Sequence, residues 1–406
     1  MKTLRFLFLN LFMGLFLLIG CTKKPMDTDE YLKIVKENLE QIKSANYTQE
    51  TYSYFTGVKE PYAHGLDYFK TYIHPSDTML GWAFVVLEPE NDMQMSFGYD
   101  GEAVYDVFPE HQGVIRDDYS TRDLPFRPFN APFYKNAHAL LDYALTTEDN
   151  VTYTLADSVD YYKFHIVINE EEQVEIIGGQ IVHNDASNPY VDDPTSEYEL
   201  WIDKRNDLPY RMKRIQEHDT TDSKCIDPVI NAENPEDFDI SAYIPHDYVV
   251  IPYASRTKSQ SDKNALLNLP APVWTLQTLD GKEVSLRDFK SKLILLEFSG
   301  VACGPCQAAV PFLKKLREDY EESDLQIISL ESWNANDETM KAYQEKKQLN
   351  YPFIRASEQV IEAYKTGGAA PRFFLIDEHR FVRKAFSGYS EGITDVEIKK
   401  AIEALF

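Results

Sequence analysis

The residues of this chain best suited to chemistry are two cysteines in the run Cys303-Gly304-Pro305-Cys306, which follows the apolar segment 293–298. An apolar run of this length predicts a strand covered on both faces, and the cysteines then fall at the start of the next helix. The amide dipoles at a helix N-terminus stabilise a thiolate at the first cysteine. Because two intervening residues let the second cysteine reach back, the spacing predicts a redox-active disulfide.

Length and composition bound the remaining possibilities. The chain has 406 residues, which is too long for one ordinary domain and fits two. Its hydrophobic content of 43% and aromatic content of 13% suffice for packed cores and exclude global disorder. A formal net charge of −25 argues against nucleic acid as a partner, because nucleic-acid-binding surfaces are basic.

The N-terminus has the pattern of a secretory signal peptide. Lys2 and Arg5 precede an apolar stretch over 6–19 that is short for a membrane span. The stretch ends in Leu18-Ile19-Gly20-Cys21, which resembles the lipobox of bacterial lipoproteins. This resemblance implies cleavage before Cys21, acylation of Cys21 and stable anchoring to a membrane through several acyl chains. A signal peptide that ends in a chance cysteine is the alternative.

Cysteine usage indicates a compartment outside the cytoplasm, where disulfides persist. The chain has four cysteines, of which one falls in the lipobox, two form the spaced pair and one, Cys225, is left over. A structural disulfide framework would need more cysteines, so the pair is better explained as catalytic. Cys225 follows the polar run 220–224 and is predicted to be an exposed loop thiol, either a bystander or a member of an intermolecular disulfide.

Between residues 51 and 251 the chain carries many short alternating runs separated by Gly, Asp and Pro, which is typical of an antiparallel meander. An amphipathic helix is predicted over 28–45, with Asp27 as its cap, because apolar residues recur there at helical spacing. A further helix is predicted near Phe133 to Leu145.

This order, an opening helix and then a long aromatic sheet, resembles the half-barrel of the LolA-type lipoprotein carriers. The run Leu200-Trp201-Ile202-Asp203, followed by Leu208-Pro209-Tyr210-Arg211, is similar to a strand–turn–strand of that superfamily. The resemblance implies a cavity for a hydrophobic ligand between the sheet and its helix. A packed structural module is the alternative, since aromatic residues suit strands in any case.

After a polar linker the pattern changes to alternating strands and helices. The cysteine pair is one of four landmarks that resemble, in order, the thioredoxin fold and more narrowly its extracytoplasmic TlpA/ResA type. A second landmark is an opening hairpin, formed by Pro270-Ala271-Pro272-Val273-Trp274 and Asp280-Gly281-Lys282. A third is a proline loop, Gly367-Gly368-Ala369-Ala370-Pro371, and a fourth is the strand that follows it, Phe373-Phe374-Leu375-Ile376-Asp377. The resemblance covers about 268–406.

Residue roles follow from this resemblance. Cys303, exposed at the helix N-terminus, is predicted to be the attacking thiolate, and Cys306 the resolving thiol that breaks the mixed disulfide. Pro371 is the candidate for a cis-proline that faces the disulfide and exposes backbone to a substrate chain.

Two carboxylates are candidates for proton transfer. Glu297 matches the buried acid beneath the thioredoxin disulfide, and Glu331 resembles the glutamate after the third strand in cytochrome-c-maturation thioredoxins. An exposed charge at a strand end is the alternative for each. The chain departs from the family at Ala302, where many relatives carry Trp, and at Arg372. Arg372 is predicted to be a solvated charge at a strand start, and a group that lowers a thiol pKa is the alternative.

The sequence thus predicts two domains, a mainly antiparallel β domain of LolA-like half-barrel type and an α/β thioredoxin fold. The boundaries are 1–20 for the signal peptide, 21–27 for the tether, 28–252 for the β domain, 253–267 for the linker and 268–406 for the thioredoxin-like domain. The predicted function is an envelope thiol–disulfide oxidoreductase that reduces protein disulfides, with a membrane thiol transporter of the DsbD/CcdA kind as electron donor. No metal or other cofactor is expected, since no histidine lies near the cysteine pair. The rival hypothesis is a carrier of a hydrophobic ligand or lipoprotein whose thioredoxin-like part only docks partners.

Overall fold

The computed structural model describes residues 27–121, 131–184, 193–255 and 266–406. The predicted signal peptide, Cys21 and most of the predicted linker lie outside these residues. In the described part of the chain, no helix is both long and apolar enough to cross a membrane.

The N-terminal part is built on one 12-stranded sheet with two helices, α1 (Thr28–Glu40) and α2 (Phe133–Thr146). Its strands are β1 (Ser44–Tyr54), β2 (Ala63–Ile73), β3 (Trp82–Glu88), β4 (Gln94–Tyr99), β5 (Val104–Phe108), β6 (Gly113–Asp117), β7 (Val151–Asp157), β8 (Tyr161–Ile168), β11 (Ser196–Asp203), β12 (Leu208–Ile215), β13 (Thr220–Ile230) and β14 (Val249–Pro252), while β9 (Gln173–Ile177) and β10 (Gln180–Asn184) form a separate hairpin. The order across the sheet is β14-β6-β5-β4-β3-β2-β1-β13-β12-β11-β8-β7. All neighbours are antiparallel except β14 and β6, which are parallel.

Local sequence explains where α1 begins, whereas strand pairing decides where it ends. The Asp27 carboxylate accepts hydrogen bonds from the backbone N–H groups of Asp29, at 3.0 Å, and Glu30, at 3.4 Å, which caps the helix as predicted. The predicted C-terminal end at residue 45 was wrong, because the helix stops at Glu40 and β1 begins at Ser44. Strand β1 pairs with β2 on one side and β13 on the other. The backbone hydrogen bonds of these two pairings favour a strand from Ser44, although apolar residues at helical spacing predicted one more turn of helix there.

The two helices pack on one face of the large sheet, over a core rich in aromatic side chains. The Tyr47 ring is stacked 5.4 Å from that of Phe69 and lies edge-on, at 5.5 Å, to that of Tyr134 on α2. The Tyr47 hydroxyl also accepts a hydrogen bond of 2.8 Å from the backbone N–H of Phe133. The buried Tyr47 side chain therefore packs its ring in the core, while its oxygen accepts a hydrogen bond from a backbone N–H in the first turn of α2.

The C-terminal part has a five-stranded sheet of order β19-β18-β17-β20-β21 and a small hairpin of β15 and β16. The strands are β15 (Thr275–Gln277), β16 (Glu283–Ser285), β17 (Leu293–Ser299), β18 (Leu325–Glu331), β19 (Phe353–Arg355), β20 (Arg372–Ile376) and β21 (Val382–Ser387), and the helices are α3 (Gly304–Asp319), α4 (Asp337–Lys347), α5 (Glu358–Ala363) and α6 (Thr394–Glu403). Strand β17 is parallel to β18 and antiparallel to β20, and β18 is parallel to β19. This mixed sheet with helices between its strands is a thioredoxin-like arrangement.

Strand β17 positions the cysteine pair, and every residue of it is buried, as the apolar run predicts. Its odd-numbered apolar residues, including Leu295, pack with Ala309 and Leu313 of α3. Its even-numbered residues, including Phe298, pack in a second core on the opposite face of the sheet. Because side chains alternate along a strand, Glu297 lies on the face that α3 covers.

The connection between β1 and β2 joins the N-terminal part to the thioredoxin-like part. Phe55 and Val58 from this connection are buried in one cluster with Val301 and Tyr343. The rings of Phe55 and Tyr343 are 5.7 Å apart in an edge-to-face arrangement, and the Lys346 ammonium lies 3.2 Å from the carboxylate of Glu217. Val301 precedes Cys303 by two residues, so this contact lies beside the cysteine loop.

Candidate active site

The cysteine pair occupies the junction between β17 and α3. Cys303 and Cys306 are joined by a disulfide. Cys303 is the N-cap residue of α3, and its Sγ accepts a hydrogen bond of 3.2 Å from the backbone N–H of Cys306. The helix dipole and this N–H both favour negative charge on the Cys303 sulfur once the disulfide is opened. Pro305 stands in the first turn of the helix, where a missing N–H costs no hydrogen bond.

The prediction that Cys303 is exposed was wrong, because its residue surface is only 2% exposed. Its sulfur is bonded to the fully buried Cys306, which turns the side chain inward. The neighbouring residues Gly304 and Pro305 are half-buried, so the approach to the disulfide lies along the helix start.

The proline loop contains a cis peptide bond between Ala370 and Pro371. Strand β20 begins at the next residue, Arg372. The prediction of a solvated charge there was wrong, since Arg372 is buried and its Nη1 donates a 3.3 Å hydrogen bond to the Ser387 hydroxyl. The reason is that β20 runs between β17 and β21, so even its first residue is enclosed on both sides.

Glu297 is a buried carboxyl rather than an exposed charge at a strand end. Burial raises its pKa from 4.5 to about 7, and the hydroxyls of Ser329 and Ser299 offset part of this rise. Among the described residues its Oε1 has no hydrogen-bond partner. A carboxyl that titrates near neutral pH is suited to accept and return a proton.

Glu297→Gln is expected to remove a pH dependence of stability. In the folded protein the Glu297 carboxyl keeps its proton up to about pH 7, whereas the ordinary pKa of a glutamate side chain is 4.5. The stability from this proton is fully present below pH 4.5 and is lost as the pH rises through 7. At about 1.4 kcal/mol per pH unit, that loss approaches about 3 kcal/mol. The free energy of unfolding of the oxidised wild type, minus that of the variant, should fall by this amount between pH 4.5 and 8 in urea titrations.

Glu318→Gln is the matched control for this measurement, because it makes the same substitution at a side chain of α3 that is 61% exposed. A difference between wild type and Glu297→Gln that stays constant with pH would contradict the prediction. It would mean that the buried carboxyl gives up its proton at the same pH in the folded and the unfolded chain.

Glu331 is also buried, so the exposed alternative is wrong for it too. Burial raises its pKa, while hydrogen bonds from the backbone N–H groups of Trp333 and Ala335 act in the opposite direction. These N–H groups lie 3.0 Å and 2.9 Å from the two carboxylate oxygens. Both oxygens of Glu331 therefore bind the loop that follows β18, which gives this residue a positioning role rather than a direct one.

Cys225 does not lie in an exposed loop, and that prediction was wrong. It belongs to β13, is 3% exposed, and its sulfur lies 3.4 Å from the Tyr134 hydroxyl. Burial raises the pKa of its thiol to about 12. The polar residues before it belong to the same strand, which pairs with both β1 and β12, and hydroxyl-bearing residues are common in such positions. A buried thiol with a raised pKa is chemically inert.

Trp333 was not among the predicted site residues, yet it lies in the loop after β18 and contacts both the cysteine loop, at Gly300, and the proline loop, at Gly368. The available signal was topological, because β17 and β18 are parallel and the residues after them meet at one edge of the sheet. Within the described ranges, no group of three His, Cys, Asp or Glu side chains is arranged to hold a metal ion.

Comparisons with known proteins agree with this geometry. The Redoxin family model matches residues 267–402. The chain is 30% identical over 136 residues to the thiol-disulfide oxidoreductase ResA of Geobacillus thermodenitrificans, a match that covers 33% of this chain and 75% of that protein. It is 32% identical over 130 residues to the ResA of Bacillus cereus, with 31% of this chain and 69% of that protein covered.

Among solved structures, a putative thiol:disulfide interchange protein DsbE from Chlorobium tepidum is similar to this chain. It is 19% identical, with a TM-score of 0.31, and the match covers 34% of this chain and 94% of that one.

The protein is a thioredoxin-like thiol–disulfide oxidoreductase. The chain belongs to the family of the ResA thiol-disulfide oxidoreductases, through its C-terminal third.

Proposed function

We propose that this protein is an oxidoreductase of the bacterial envelope that reduces disulfides of extracytoplasmic proteins through Cys303 and Cys306. The observation that carries the proposal is a disulfide at the N-terminus of α3, where the first sulfur accepts a backbone hydrogen bond. Cys303 is the attacking thiolate in this scheme and Cys306 the resolving thiol. Pro371, whose cis bond lies at the start of β20, is proposed to offer its preceding backbone to the substrate chain.

The proposed reaction is a dithiol–disulfide exchange. The reduced Cys303 thiolate attacks one sulfur of the substrate disulfide, which releases the other substrate sulfur as a thiolate that takes a proton from water. The Cys306 thiol then gives its proton to Glu297, the proposed acceptor, and attacks the Cys303 sulfur. The bond between Cys303 and the substrate breaks, and the second substrate sulfur leaves as a thiolate that takes up the proton from Glu297. The protein ends with the Cys303–Cys306 disulfide, and two electrons have passed from it to the substrate. A membrane thiol transporter of the DsbD/CcdA kind is proposed to return those electrons.

The location of the protein belongs to the same proposal. Residues 1–20 are proposed to be a lipoprotein signal peptide, and acylated Cys21 the anchor that holds the protein to a membrane through the tether 21–27. Residues 28–252 are proposed to form a LolA-like domain, linked by 253–267 to the thioredoxin-like domain 268–406. Two helices on one face of a long antiparallel sheet support the LolA-like assignment.

The rival function, a carrier of a hydrophobic ligand, is less well supported. The space between the sheet and its helices is filled by buried aromatic side chains such as Tyr47, Phe69 and Phe133. The cavity beside Phe133 has only about 140 Å³, whereas sites for small molecules commonly have about 300–1,000 Å³. Larger cavities of the N-terminal part, of about 660 Å³ and about 820 Å³, lie against Tyr134 and Tyr72. The aromatic packing under the helices favours a structural module, and these two cavities keep the carrier a hypothesis that the cysteine variants discussed below can test.

The reduction potential of the Cys303–Cys306 couple tests the proposed direction of electron flow. The protein without residues 1–27 is equilibrated with dithiothreitol or glutathione buffers, and the fraction of disulfide is measured by thiol alkylation. A reductase should give a value near that of thioredoxin, roughly −270 mV. The Cys225→Ala variant is the matched control, because it leaves this pair as the only thiols in that chain.

A potential near roughly −120 mV would contradict the proposed direction of electron flow. A couple with so high a potential is a strong oxidant, which accepts electrons from its partners. A pair that never forms a disulfide in any buffer would overturn the redox function altogether.

A further inference from the structure

Trp333 presents a large apolar surface next to Gly300, in the loop that leads into the cysteine pair. It is 44% exposed, whereas Val301, before the redox loop, and both of its cysteines are buried. The residue before the first cysteine is Ala302, whose methyl group offers little area for contact. The indole therefore supplies the extended apolar surface at this edge of the sheet.

The indole is fixed against the loop that leads into the cysteine pair. A Cβ atom added to Gly300 would lie 2.6 Å from Cδ2 and 2.7 Å from Cε3 of Trp333. Only glycine allows the ring to lie this close to the backbone. The carbonyl of Gly300 in turn accepts a 3.0 Å hydrogen bond from the backbone N–H of Cys303. The ring thus rests on the residue that holds the first cysteine.

The same indole is also bound to the proline loop. Its Nε1 donates a 2.8 Å hydrogen bond to the carbonyl oxygen of Gly368, three residues before Pro371. From the other side, the backbone N–H of Trp333 is held by the Glu331 carboxylate. The orientation of the ring is therefore set at three points, by Gly300, Gly368 and Glu331.

We propose that Trp333 is a specificity-determining residue that contacts the polypeptide around the substrate disulfide. The partner it fits is an extended protein segment with an apolar or aromatic side chain next to its cystine. A fixed, half-exposed aromatic ring gains more from such a contact than a mobile side chain does, because little freedom is lost on binding. This inference rests on the proposed disulfide-reducing function and deepens it by naming the residue that selects among protein disulfides, in favour of those with an apolar side chain next to the cystine.

The test compares two disulfides in single-turnover reactions of the reduced full chain. Insulin serves as a protein disulfide, and glutathione disulfide as a small one with little apolar area. Trp333→Ala should slow the reaction with insulin by roughly tenfold, because it removes the ring contact. Its reaction with glutathione disulfide should stay within about twofold of the wild-type rate, and its reduction potential should be unchanged.

Trp333→Phe distinguishes the contribution of the aromatic ring from that of the hydrogen bond to Gly368, because it keeps a ring and removes the indole N–H. A contact role predicts that Phe retains most of the rate with insulin, because it keeps an aromatic face. Phe406→Ala is the matched control, since it removes another exposed aromatic ring of the same domain, 55% exposed at the C-terminus. Circular dichroism and urea unfolding establish that each variant is folded before its rates are compared.

Each result decides between distinct conclusions. Equal losses with both disulfides, or a Phe variant as slow as Ala, would overturn the contact role and leave Trp333 as a clamp between two loops. Unchanged rates of Trp333→Ala with insulin would overturn the inference while the proposed function stands. A reduced wild type that reacts with neither disulfide would overturn the proposed function itself, and the inference with it.

Discussion

Cys303→Ser is expected to abolish disulfide reduction, with a loss of at least roughly 10³-fold in rate. The attacking group is a thiolate, and a serine hydroxyl at the same position stays protonated at neutral pH. The N-terminus of α3 and the backbone N–H of Cys306 stabilise a charged sulfur, but they cannot ionise a hydroxyl to a comparable extent. The measurement is the rate of insulin reduction with dithiothreitol as the electron source.

Cys225→Ala is the control for this variant. Cys225 lies in β13 of the N-terminal sheet, and burial raises the pKa of its thiol to about 12, so its removal should leave the rate unchanged. If Cys303→Ser kept the activity of the wild type, the reactive thiol would lie elsewhere. The carrier hypothesis would gain support if that variant also kept all biological activity and bound a hydrophobic ligand.

Cys306→Ser is expected to stop the reaction at the mixed disulfide. The first attack by Cys303 needs no second thiol, so the variant should still react once with a substrate disulfide. Without the resolving thiol, however, the covalent adduct has no fast intramolecular route to release. Turnover should fall by at least roughly 10²-fold because release then depends on an external thiol. Mass spectrometry of the variant treated with glutathione disulfide should find one glutathione on Cys303.

The double variant Cys303→Ser with Cys306→Ser controls for adducts at other thiols. In the protein without residues 1–27 it should form no adduct, because its one remaining cysteine, Cys225, is buried. An adduct on Cys225, or none on Cys303 in the single variant, would contradict the assigned order of attack. Rapid turnover by Cys306→Ser would equally contradict a resolving role for Cys306.

Much of the C-terminal part could be predicted from the sequence. The apolar run before the cysteines became β17, the helix predicted to start at the cysteines became α3, and the proline loop led into β20 at Arg372 as expected. These elements are fixed by local patterns and by the order of motifs along the chain. The end of α1 was less predictable, because pairing of β1 with the next strand, β2, and with the distant β13 decided where the helix stops.

The environment of each side chain at the site was not predictable in the same way. Glu297 and Glu331 each had an exposed and a buried interpretation, and only the packing of α3 and the loop after β18 decided between them. Arg372 and Cys225 both read as solvated positions, yet each lies in a strand with neighbours on both sides. Burial depends on contacts between residues far apart in sequence, which a single local pattern does not contain.

The sequence by itself determined the chemistry of this protein, because two cysteines at a helix start carry their reactivity in their type and spacing. It also determined the order of strands and helices that delivers them. Only the tertiary structure decided what surrounds the disulfide: the buried acid on the α3 face, the Glu331 carboxylate bound to loop amides, and the Trp333 indole laid across Gly300 to Gly368. The loops that follow the parallel strands β17 and β18 meet at one sheet edge, so residues more than thirty positions apart, such as Trp333 and Gly368, become neighbours through the fold.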